Sequence, residues 1–268
     1  MPALYAYNIH NIVTVTSEVV LPELERLMVE APIAKPTIRV RIGKPDPAEL
    51  RPNARYICYD EGWGKLGFRT DIEIGDDGIE VWGSALLRLS PHVIYTNVVE
   101  PILRWTFVEK GYALVHGACL DFDGKAYLVT ARTDTGKTTT LLKILSRQRR
   151  TSDQGAFISD DLTLIAPDVH VLTYPKPLTI SHHTVQAVNT KSLTLGQRLA
   201  LLVQSRVHSR SGRLFAYFLA KTKMPMATIN AIVQFLIPPP KYHANHLIPQ
   251  VKLSRESRLV GMFVIERF

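Results

Sequence analysis

Ala126 to Thr130 reads as an apolar strand that runs straight into Ala131-Arg132-Thr133-Asp134-Thr135-Gly136-Lys137-Thr138, after which Leu141, Leu142, Ile144 and Leu145 mark a helix. No other feature constrains the fold as tightly, because strand, small-residue loop and helix must follow in that order. In this context the backbone N–H groups of the loop and of the helix N-terminus can cradle phosphate. Lys137 would then reach the β- and γ-phosphates, Thr138 would offer its hydroxyl to Mg²⁺, and Thr139 would add a contact nearer the α-phosphate. Two positions depart from the usual glycine pattern, Ala131 and Asp134, and the carboxylate of Asp134 must point outward, cap the loop or meet a cation such as Arg132. The plainer alternative is a Thr-rich turn capping an ordinary helix.

Some twenty residues on, Ala156-Phe157-Ile158-Ser159 rises as a strand toward Asp160-Asp161. A lone Asp pair is more often a solvated turn or a helix cap. Placed at a strand end after the loop, it supplies what phosphoryl transfer needs, a carboxylate for the metal and one that orients or deprotonates the acceptor hydroxyl.

The run His116-Gly117-Ala118, a strand, the phosphate loop and Ile158-Ser159-Asp160-Asp161 resembles the HPr kinase and phosphoenolpyruvate carboxykinase superfamily, and its order and spacing are similar to the HPr-kinase-like branch. The resemblance covers about Leu114 to Ile180 and includes Tyr174-Pro175-Lys176-Pro177-Leu178. It implies an α/β core of that P-loop type and an ATP-dependent kinase, with Mg²⁺ between the nucleotide phosphates and the acidic pair. By the same resemblance Asp160 is the acceptor-side base, Asp161 the metal-side ligand, and His116 a neighbour that positions the carboxylates. GTP is the alternative nucleotide. A nucleotide-dependent switch or NTPase, docking on an anionic partner or membrane surface, is the alternative activity.

The rest of the chain frames this core. Residues 1–110 are expected to be a β-rich N-terminal region, with strands over Ile12 to Val20, Thr37 to Ile42, Arg55 to Tyr59, Phe68 to Ile74 and Gly78 to Ala85. The clearest hairpin spans Asp71 to Val81 around a Gly/Asp turn. Leu21 to Val29 is predicted helical, as is about Pro91 to Lys110, where Val98, Ile102, Trp105 and Phe107 are spaced to cover one apolar face. Residues 111–268 are expected to form the kinase-like domain with a basic, mainly helical C-terminal extension. In it Tyr112 to Leu120 reads as one buried strand and Leu259 to Ile265 as a late one.

Charge is divided unevenly. Residues 1–168 hold 22 acidic and 19 basic residues, whereas no Asp or Glu occurs between Val169 and Arg255, a stretch with eleven Lys or Arg. Such a field concentrates anionic partners: phosphorylated or acidic substrates, or a membrane surface. A solvated basic face without a partner explains it equally well. Arg206, Arg210 and Arg213 can clamp an anion through bidentate bonds, and Lys176, held between two prolines, is a candidate to stabilise the transferred phosphate. Nucleic acid is disfavoured, because no aromatic platform interleaves the basic residues. The acceptor is a hydroxyl on a small molecule, lipid headgroup or protein, and a homo-oligomer is compatible with the sequence.

His182-His183 lacks accompanying metal ligands, and Pro238-Pro239-Pro240 breaks any helix. Cys58 and Cys119 belong to no metal-binding cluster and are expected to be reduced, structural thiols. The N-terminus shows no secretory pattern, and Leu214 to Ile237 is interrupted by Lys, Pro and Asn, so a cytoplasmic setting with peripheral membrane contact through the basic third is expected.

Overall fold

The structure is a computed structural model describing residues 4–62, 67–131, 135–148, 155–174, 176, 178, 224–236, 244–248 and 251–266. The described residues form a mixed α/β protein with two mixed sheets. The chain divides into two units, residues 1–106 with 210–238, and residues 107–209 with 239–268.

In the first unit the strands are β1 (Tyr5–Ile9), β2 (Val13–Ser17), β3 (Met28–Val29), β4 (Ile38–Ile42), β5 (Arg55–Asp60), β6 (Arg69–Gly75) and β7 (Gly78–Gly83). They pair in the order β3-β1-β2-β4-β7-β6-β5. The β6–β7 hairpin is the one expected, closing at Gly75 opposite Gly78. Ile9, Val13, Val15, Ile38, Val40 and Val81 are buried, the inward members of alternating strands.

Leu21 to Val29, expected to be a helix, is a 3-10 turn over Pro22–Leu27 followed by β3. A proline at its start and the extended backbone of Met28 leave too few residues for an α-helix to propagate. The helices α1 (Ala85–Leu89) and α2 (Pro91–Ile94) lead through a π-turn at Tyr95–Val99 into α3 (Glu100–Glu109). The extra residue of a π-turn rotates the helix that follows. In α3 the buried positions are Glu100, Ile102, Leu103, Thr106 and Phe107, and Trp105, expected on that face, is 40% exposed.

The second unit holds β8 (Ala113–Val115), β9 (Gly117–Phe122), β10 (Lys125–Ala131), α4 (Lys137–Gln148), β11 (Ala156–Ser159), β12 (Thr163–Ile165) and β13 (His170–Thr173). In the basic stretch, helix α5 (Met226–Leu236) packs against α1 and α2 of the first unit. The second unit resumes with α6 (Ala244–Leu247), β14 (Lys252–Leu253) and β15 (Glu256–Ile265). The second sheet has the order β14-β11-β9-β10-β15-β13-β12-β8.

The single strand expected over Tyr112 to Leu120 is interrupted at His116. Before it β8 pairs with β12, and after it β9 pairs with β10 and β11, so one residue changes the partner. Along β9 the side chains alternate. Ala118 and Leu120 join Leu141, Leu142 and Leu145 of α4 and Leu247 of α6, whereas Cys119 lies with Leu128, Ile158 and Val171 in a second cluster. The (i, i+4) spacing of Leu141 and Leu145 puts them on one stripe of α4, which fixes the helix against the strand that follows His116. No helix among the described residues is long and apolar enough to cross a membrane.

Candidate functional site

The segment expected to bind phosphate leaves the end of β10 at Ala131 and enters α4 at Lys137. Gly136, at φ +96°, occupies a backbone conformation that only glycine adopts without strain. The Thr140 N–H donates to the Gly136 carbonyl at 2.9 Å, opening the helix at that residue. Arg132, Thr133 and Asp134 lie outside the described residues.

Lys137 is 8% exposed, and its ammonium donates to the Ala131 carbonyl at 2.8 Å and to Nε2 of His116 at 2.9 Å. A nitrogen that accepts from an ammonium carries no hydrogen, so the contact requires the His116 tautomer protonated on Nδ1. That Nδ1 lies 3.3 Å from Oδ1 of Asp161. The hydroxyl of Thr130 donates to the His116 carbonyl at 2.9 Å and holds its backbone to β10.

Thr138 follows on the first turn of α4. Its Oγ1 donates to the carboxylate of Asp160, 2.9 Å from Oδ1 and 3.0 Å from Oδ2. Asp160 is 4% exposed. Burial pushes its carboxyl up to about 6; the Thr138 hydroxyl opposes this rise and the neighbouring charge of Asp161 adds to it. Asp161 behaves oppositely. Burial pushes it up too, but the Lys176 ammonium, 2.5 Å from Oδ2, outweighs that with help from His116 and Lys137, and the carboxyl sits below its ordinary value.

The two neighbouring carboxylates diverge because of the backbone. Asp161 has φ +69°, and the Leu162 N–H donates to the Asp160 carbonyl at 2.8 Å, so the pair is bent through a γ-turn. Asp is among the few residues that tolerate this region. Behind the turn, the Ser159 and Thr163 hydroxyls are bonded at 2.7 Å, and Thr163 donates to the Gly117 carbonyl at 3.0 Å. This buried chain ties the strand bearing the acidic pair to the residue after His116.

The structure therefore brings together Lys137, Thr138, Asp160, Asp161, His116 and Lys176. Thr135, Gly136 and Thr139 are described beside them. Arg206, Arg210 and Arg213, His182-His183 and Pro238-Pro239-Pro240 lie outside the described residues. Three members of the site were expected only as strand residues, with no role in it: Thr130, Ser159 and Thr163. Their one sequence signal is a hydroxyl at the end of an otherwise apolar strand, or just after it.

Chemically, the site offers a nearly buried ammonium, a hydroxyl and two carboxylates with different proton affinities. Among the described residues no group of three His, Cys, Asp or Glu side chains is arranged to hold a metal by itself. No protein-family model matches the chain, and no curated protein matches it.

Proposed function

We propose that this chain is an ATP-dependent phosphotransferase of the HPr-kinase-like kind, with GTP as the alternative nucleotide, moving the γ-phosphate to a hydroxyl acceptor. The observation that carries the reading is the bond from Thr138, next to Lys137 at the start of α4, to the buried carboxylate of Asp160. A carboxylate taken out of water without a full ionic partner is costly, and a divalent cation beside it offsets that cost. The donors here are hard oxygens, the class that Mg²⁺ takes. Bound Mg-nucleotide supplies the phosphoryl group and neutralises charge on its oxygens.

The residues of the chain then divide the work. Lys137 is the cation for the β- and γ-phosphates, released from its contacts with Ala131 and His116. Thr138 and Asp160 form the metal side. Asp161, more accessible than Asp160 and bonded to His116 and Lys176, faces the acceptor and takes or orients its proton. These roles for the two aspartates are the reverse of those the family resemblance implied, and the Thr138 contact is the reason. His116 holds Asp161 in place through Nδ1. Lys176 adds positive charge where negative charge develops during transfer.

The test is transfer of labelled γ-phosphate from MgATP to small-molecule, lipid and protein hydroxyl acceptors, run beside nucleotide binding. Acceptor-dependent transfer that is lost in Asp161→Asn while MgATP still binds is the expected result. Binding with slow, acceptor-free turnover would support the switch reading instead, and absence of nucleotide binding would remove both.

A further inference from the structure

Edge strands expose a row of unpaired backbone N–H and C=O groups, and proteins commonly guard them by keeping them short, charged or interrupted by proline. Among the described strands, three of the four sheet edges follow this rule: β3 and β14 have two residues each and β8 has three. β5 does not. It is six residues long, Arg-Tyr-Ile-Cys-Tyr-Asp, with every residue exposed, no proline or lysine, and charges only at its ends. Tyr56, Ile57 and Tyr59 are 45%, 51% and 52% exposed.

The strand is also held straight from behind. All six residues are in register with β6, from Arg55 opposite Ile74 to Asp60 opposite Arg69, without a bulge. On one face Tyr56 donates to Asp71 at 2.6 Å and Arg69 reaches Asp60 at 3.3 Å. On the other Tyr59 packs edge-on against Phe68. A rigid, exposed and largely apolar edge is suited to strand addition.

We propose that β5 pairs antiparallel with β5 of a second copy of this chain, across a twofold axis at Cys58. A twofold axis normal to the sheet keeps each side chain on its own face, so only registers that pair same-face residues are allowed. With Cys58 opposite Cys58 of the second copy, Tyr56 stands across from Asp60 and Ile57 across from Tyr59, and Arg55 continues toward Glu61. Aliphatic meets aromatic at Ile57 and Tyr59, the cationic Arg55 end lies toward the anionic Asp60 and Glu61 end of the other copy, and no like charges face each other, while the Tyr56 hydroxyl and the Asp60 and Glu61 carboxylates keep their partners within each chain. That self-complementarity selects a second copy over an unrelated strand. The inference rests on the first sheet alone and stands apart from the phosphotransferase reading.

The register makes its own probe. Directly opposed residues of an antiparallel pair are about 4.5–5.5 Å apart at Cα, within the range of about 4.4–6.8 Å that a disulfide spans. Cys119 is buried, so an added oxidant reports on Cys58. The experiment is sedimentation of the full chain in the micromolar range, with Ile57→Lys and Cys58→Ser as variants and circular dichroism as the check that both fold. The expected result is a dimer that Ile57→Lys weakens about tenfold or more and that diamide, an azodicarboxamide reduced to its hydrazine as it takes up the two electrons and two protons of the two thiols, links covalently in wild type but not in Cys58→Ser. A monomeric wild type, a dimer indifferent to Ile57→Lys, or a dimer that does not cross-link through Cys58 would each overturn it.

Discussion

Asp160 and Asp161 are adjacent in sequence, yet their side chains meet different partners, and the difference sets what each variant should do. Asp161→Asn is expected to leave MgATP binding close to wild type and to lower transfer about 10²–10⁴-fold, the usual contribution of a positioned acid or base. Asp160→Asn is expected to weaken Mg²⁺-dependent nucleotide binding itself. Titration calorimetry beside single-turnover transfer separates the two, and the opposite pattern would return the metal to Asp161. A second consequence concerns stability without metal. The Asp160 carboxyl is raised from 3.8 to about 6, so the folded state holds its proton more tightly than the unfolded chain. The stability it contributes is present below about pH 4 and lost as pH rises through about 6. Asp160→Asn should therefore stabilise the metal-free protein above pH 7 by roughly 2–3 kcal/mol, and the gain should vanish near pH 4. Thermal unfolding at several pH values reads this directly. At this scale the Gly-Lys-Thr ending and the Asp pair were legible in the sequence because their chemistry is local. The links from His116 to Asp161 and from Lys176 to Asp161 join residues 45 and 15 positions apart; the first was expected only through the family resemblance, and the second is seen only in the folded chain.

The elements position these residues through two glycines. A Cβ on Gly117 would lie 2.9 Å from the Val129 carbonyl of β10, a contact that backbone cannot yield to cheaply. Gly117→Ala is expected to push β9 from β10, to destabilise the protein by about 1–3 kcal/mol and to lower transfer by displacing His116. Gly136 differs: nothing lies within 4 Å of a Cβ there, but its φ of +96° strains any L residue. Gly136→Ala should cost about 1 kcal/mol or more and raise the KM for nucleotide while leaving the sheet intact, as seen by circular dichroism. The Asp71 to Val81 hairpin was readable because alternation and a Gly/Asp turn coincide. β1 was not, since its turn to β2 uses His10 and Asn11, both at positive φ, in place of an Asn-Gly pair. Trp105 was misplaced for a different reason: it stands two residues from Phe107, roughly 200° around a regular helix, so the two cannot share one face.

On the scale of the whole molecule, the charge division of the sequence does not coincide with one unit of the fold. The stretch without acidic residues contributes α5 to the first unit and α6 and β14 to the second. The mixed α/β class was legible from alternating strands around one strand–loop–helix unit, whereas the order of each sheet depends on pairings between distant segments that no local pattern encodes. Lys137 and Thr138, at the head of α4, are proposed to form a nucleotide phosphate site with the acidic pair. Isothermal titration of MgATP into the full chain and into Lys137→Met tests it most directly. Saturable binding by wild type, weakened about thirtyfold or more in the variant as expected for loss of a charged phosphate contact, is the result this account requires. Wild type that takes up neither MgATP nor MgGTP, or a variant that binds as tightly as wild type, would contradict it.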